Sequence, residues 1–110
     1  MDWAARFVKR ANQIGVKICA GTDYINDLKR PFPFIFDELD LYVEKCGFYP
    51  MEAIFTVTKV AAEVLGAADK VGSVEVGKQA DLLVLPGNPY DDIKELRKIR
   101  MILKTGNVIE

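Results

Sequence analysis

Val71-Gly72-Ser73-Val74-Glu75-Val76-Gly77-Lys78-Gln79-Ala80-Asp81-Leu82-Leu83-Val84-Leu85 is the stretch on which the reading of this chain turns. Residues 71–76 alternate apolar and polar, the pattern of a half-exposed strand. Gly77-Lys78 makes a turn, and residues 80–85 are almost all apolar, which predicts a more fully buried strand. The run lacks the strand, glycine-rich loop and helix that a phosphate loop needs, so that chemistry is excluded. The run is read instead as a β-turn in which Asp81 anchors local backbone amides. Downstream, Pro86-Gly87-Asn88-Pro89 ends the strand. Ile93, Leu96 and Ile99 give a weak helical stripe, and residues 99–104 and 107–109 flank Thr105-Gly106 as a hairpin.

Upstream the texture is helical. Trp3, Ala4, Phe7, Val8, Ala11 and Ile14 recur at helical spacing. Gly15 follows where a left-handed cap residue belongs. Val16-Lys17-Ile18-Cys19-Ala20 is short and rich in β-branched residues and predicts a buried strand ending at Gly21-Thr22-Asp23. Lys29-Arg30-Pro31-Phe32-Pro33-Phe34 reads as a loop, because each proline restricts the residue before it. A second helix is predicted over residues 35–46, stopped by Gly47. A third is predicted over residues 50–65, with Pro50 in its first turn and Gly66 after its end. Tyr49 is a poor cap, while Glu52 suits the positive end of the helix dipole.

Composition limits the chemistry. The 110 residues contain no histidine. That excludes a Ser-His-Asp or Cys-His site built from this chain alone, and any metal site of its own that needs imidazole. The net charge of −1 argues against nucleic acid as a partner. No apolar run approaches the ~18 residues of a spanning helix, so no membrane partner is expected. Cys19 and Cys46 are read as buried thiols in a reducing, cytoplasmic setting.

Four signals fall in order: Gly15 to Asp23; Pro50-Met51-Glu52-Ala53-Ile54 running to Leu65-Gly66; Gly72 to Leu85; and Asn88-Pro89 followed by the hairpin at Lys104-Thr105-Gly106. Together they resemble the C-terminal end of the metal-dependent amidohydrolases, in the imidazolonepropionase-like and prolidase-like branch. The resemblance covers almost the whole chain. Its most specific piece is the G-x-(aliphatic)-x-x-G-K-x-A-D-L run from Gly72, and the Gly-Thr-Asp strand end is the next.

The resemblance implies an α/β fold. Residues 1–66 would be the terminal αβα portion of a (β/α)8 barrel, and residues 67–110 the C-terminal strands of its small β-sandwich. Asp23 matches the family's metal-binding and catalytic aspartate, at the C-terminal end of a strand where barrel chemistry sits. Zinc or another divalent metal is the family's cofactor, and C–N bonds of amides or cyclic amides are its substrates. The family's His-x-His pair, carboxylated lysine and further histidines have no counterpart in this sequence. A complete barrel takes ~250 residues. The expectation is therefore an N-terminally truncated piece that binds no metal and is inactive alone. The alternative is a non-catalytic interaction module. In either case a homo-oligomer, or assembly with the missing N-terminal portion, is expected, because a barrel strand without neighbours has open edges.

Overall fold

The computed structural model describes residues 2–21 and 35–110. Helix α1 spans Trp3–Gln13, α2 Ile35–Glu44, α3 Pro50–Val57 and α4 Lys59–Val64. Strand β1 (Leu82–Val84), a 3-10 helix (Ile93–Arg97), β2 (Met101–Lys104) and β3 (Asn107–Val108) follow. The three strands form one antiparallel sheet in the order β1-β2-β3.

Each helix is stopped by local chemistry. Asp2 caps α1, its side chain accepting from the Ala5 N–H at 2.7 Å. Gly15, Gly47 and Gly66 follow α1, α2 and α4 with φ of 88°, 71° and 71°, a region that costs other residues energy. At the start of α3, Pro50 needs no donor, and Glu52 reaches back to accept from the Tyr49 N–H at 2.9 Å. The other Glu52 oxygen accepts from Asn12 Nδ2 at 3.0 Å, which ties α1 to α3.

The expected single helix over residues 50–65 is in fact two. Thr58 breaks it at φ −123° and ψ −89°. The Thr56 and Thr58 hydroxyls donate to the carbonyls of Ala53 and Ile54 at 2.6 and 2.8 Å, back-bonding that competes with the helical ladder. The turn at Gly72 lies directly against the Thr58 carbonyl: a Cβ built on Gly72 would stand 3.0 Å from that oxygen.

The core is built by α2, α3 and the 3-10 helix. Leu39, Tyr42, Cys46, Phe48, Ala53, Ile93 and Leu96 form one buried cluster. The Tyr42 and Phe48 rings stack with centroids 4.9 Å apart. Burial beside Glu38 pushes the Tyr42 hydroxyl up to about 12, so it stays neutral. Arg97 clasps Asp37 and Asp40 at 2.8 and 2.6 Å and holds the 3-10 helix on α2.

Several strand expectations are corrected. Residues 16–20 join no ladder among the described residues. Ile18 and Ala20 pack against the core, but the Ala20 N–H donates to the Thr56 carbonyl at 3.1 Å, a helix residue rather than a strand. Residues 71–73 are bends and a turn begins at Val76; Gly72 and Gly77 sit at φ 99° and 91°, and among the described residues no strand pairs with the segment. Strand β1 is shorter than residues 80–85 and less buried than its apolar run predicts, with Leu83 44% and Val84 41% exposed. The α1 stripe also divides. Of its residues Val8 meets the core, joined there by Ala5 from outside the stripe, whereas Trp3, Phe7 and Ile14 are 73%, 69% and 61% exposed.

The hairpin matches its expectation. Leu103 opposes Val108 and Lys104 opposes Asn107, and the turn residues Thr105 and Gly106 both have positive φ.

Candidate functional site

The sequence places the chemistry at Asp23, which lies outside the described residues, as does Lys29-Arg30 with Phe32 and Phe34. The approach to Asp23 is described as far as Gly21. It is held from both sides: the Val16 N–H donates to the Ala11 carbonyl at 3.0 Å, and Ala20 is hydrogen-bonded to α3. Lys17 pairs with Glu63 at 2.5 Å. Cys19, expected in the core, is exposed, while Cys46 is buried and its thiol is pushed up by that burial.

Among the described residues no three Cys, Asp or Glu side chains gather into a metal-binding group. The acidic face of α2 is occupied otherwise. Asp37 and Asp40 hold Arg97, and Glu44 and Asp40 stand 3.6 and 3.8 Å from Lys94. A divalent ion wants several hard or imidazole ligands, and these residues do not fit one.

The run from Ser73 to Asp81 has a structural use. Ser73 donates to Glu75, and Lys78 donates to the Ser73 hydroxyl at 2.7 Å and pairs with Glu75 at 2.9 Å. The Ser73 hydroxyl, then Lys78, hold the Glu75 carboxyl below its ordinary range. Asp81 anchors a backbone amide, but one distant in sequence rather than the local amides expected. Its carboxylate accepts from the Thr105 N–H at 2.8 Å and pairs with Lys104 at 3.0 Å. These contacts, the backbone amide first, hold its pKa below 3.8.

That shift has a pH signature. The folded pKa of Asp81 is depressed, so the unfolded chain binds the proton more readily and stability rises with pH there. The contribution is present above the ordinary carboxylate range. It is lost as pH falls through 3.8 towards the lower folded value. Protection of the Thr105 amide against hydrogen exchange should weaken over that acid window, and Asp81→Asn should flatten this part of the profile.

One feature lies outside what the sequence reading found: a cavity of about 660 Å³ between α3–α4 and the edge of β1. Ile54, Val57, Ala61 and Leu65 line it from the helices and Leu82 and Leu83 from the strand, with the turns at residues 71–74 and 87–90 completing the lining. These residues look like ordinary core positions in the sequence, so periodicity carries no sign that they line an open groove.

A family model described as the amidohydrolase family matches residues 5–109. The chain belongs to the amidohydrolase family. An imidazolonepropionase of Thermoplasma acidophilum is 33% identical over 98 residues, which cover 86% of this chain and 23% of that protein. A crystal structure of a Xaa-Pro dipeptidase with bound methionine in its active site matches with TM-score 0.82 and 34% identity, over 96% of this chain and 25% of the other. The A. niger ochratoxinase structure matches with TM-score 0.82 and 29% identity, over 96% of this chain and 24% of the other. This amidohydrolase chain therefore spans about a quarter of the length of these relatives. Among the described residues no helix is long and apolar enough to cross a membrane.

Proposed function

We propose that this chain is the C-terminal part of a hydrolase acting on C–N bonds, amide or cyclic amide, and that it is inactive alone. The family match over residues 5–109 carries the proposal. The activities for which the relatives are named, imidazolonepropionase and Xaa-Pro dipeptidase, support the bond class. In this reading residues 1–66 come from the end of the barrel and residues 67–110 from the small β-sandwich. Asp23 would be one ligand of a divalent metal, zinc or another, in the whole enzyme. With no histidine in the sequence, the remaining ligands must come from elsewhere. An exposed Cys19 thiol suits a reducing compartment such as the cytoplasm.

The second reading is an interaction module that meets a second copy or the rest of such an enzyme. The exposed Trp3, Phe7 and Ile14 favour it, since a patch of this kind seldom stays bare. The two readings are compatible.

Metal analysis tests the first. Purified chain should hold no stoichiometric zinc and should hydrolyse neither an Xaa-Pro dipeptide nor imidazolone propionate above background. Tight one-to-one zinc binding that disappears in Asp23→Ala would overturn it.

A further inference from the structure

Helix α1 has two faces, and one of them meets the rest of the fold. Ala5 and Val8 pack against the core, and Asn12 on the same side bonds Glu52. Trp3, Phe7 and the C-cap residue Ile14, at i, i+4 and i+11, share the far side. All three are exposed. They form an apolar stripe along the helix.

The charge beside this stripe is of one sign. α1 contains Arg6, Lys9 and Arg10 and no acidic residue. Lys9 lies back against Gly47, while Arg6 and Arg10, one turn apart, are exposed along the stripe. Among the described residues neither arginine takes part in an ion pair. The whole chain has a net charge of −1, so this face departs locally from its charge balance.

That charge decides between occupants. A second copy seated on the stripe would bring the same arginines against each other, and like charges oppose such an interface. An anionic bilayer offers phosphate groups at the level of the guanidinium groups and acyl chains beneath the rings, with no fitted shape required. The side chains suit that boundary: an indole has an apolar body and a polar N–H, and arginine an apolar stem under its charge.

We propose that α1 docks this chain on anionic lipid surfaces, lying in the headgroup plane with Trp3, Phe7 and Ile14 inserted and Arg6 and Arg10 paired with lipid phosphate. The expectation of no membrane partner concerns spanning helices, and a helix lying in the surface needs no such length. This is the face that the interaction-module reading offers to a protein; its charge favours lipid. The proposal uses no residue of the candidate hydrolase site and stands apart from that reading.

Trp3 is the chain's one tryptophan, so its emission reports on the stripe itself. Vesicles of phosphatidylglycerol and phosphatidylcholine should shift that emission to the blue and pellet the full 110-residue chain. Pure phosphatidylcholine vesicles should bind it about ten-fold more weakly, and binding to the anionic vesicles should fall as salt rises. R6Q/R10Q should lose about ten-fold or more in affinity for the anionic vesicles, and Phe7→Ser should do the same by removing an inserted ring. These residues are exposed, so thermal unfolding followed by circular dichroism should leave both variants near the parent midpoint. No pelleting at millimolar lipid overturns the proposal, as does equal binding to neutral and anionic vesicles, or binding that both variants leave intact. A dimer that sediments without lipid, with Trp3 emission already blue and unchanged by vesicles, gives the stripe to a second copy and overturns it too.

Discussion

Gly72→Ala should destabilise the chain by about 3 kcal/mol, the sum of a left-handed backbone penalty and an overpacking penalty. Gly72 sits at φ 99°, where a Cβ already strains the backbone. The added atom would also lie 2.6 Å from the Ala62 Cβ and 3.0 Å from the Thr58 carbonyl oxygen. Neither neighbour is the end of a flexible side chain, so relief requires moving α4 or the turn itself. Gly77→Ala is the internal control. Its φ is 91°, but nothing lies within 4 Å of its added Cβ, so only the backbone penalty of about 1 kcal/mol applies. Urea midpoints of the two variants should differ clearly. Equal midpoints would show that the Gly72 turn does not pack against α4.

Leu39→Ala should cost about 3 kcal/mol by lost burial and a residual cavity. Leu39 is 1% exposed and belongs to the cluster that contains Tyr42, Phe48, Ile93 and Leu96. Leu41, two residues on in the same helix, is 49% exposed. Leu41→Ala should stay within about 0.5 to 1 kcal/mol of the parent. Thermal unfolding followed by circular dichroism separates the pair, and similar losses would contradict the placement of the core on one face of α2.

The helix ends were legible because they depend on single residues. A glycine needed at positive φ after α1, α2 and α4 is written at 15, 47 and 66, and Thr105-Gly106 announces its turn in the same way. What depends on partners was not legible. Residues 16–20 have strand composition, but a ladder needs a neighbour, and composition cannot supply one. The same holds for residues 71–76, where Val74 is 84% exposed and Val76 fully so. The Thr58 break escaped because the apolar stripe runs through it unbroken, while the Thr56 and Thr58 hydroxyls bond back to the helix carbonyls. Asp23 rests on a motif match and not on a described geometry. Its metal reading comes from the resemblance, and the groove along β1 depends on how segments distant in sequence pack, which periodicity does not record.

The buried cluster joins residues on both sides of a long stretch of chain, from Ala53 to Ile93. Loop closure over such a distance costs entropy that no local contact repays in advance. During synthesis, α2 and α3 can meet early, but the layer they form stays open until residue 96 has been made. Before that moment Leu39 and Phe48 face water. The nascent chain thus carries its most adhesive surface well before it owns the lid for it, and its exposure to chaperones and to misassociation is set by translation speed across residues 53–96.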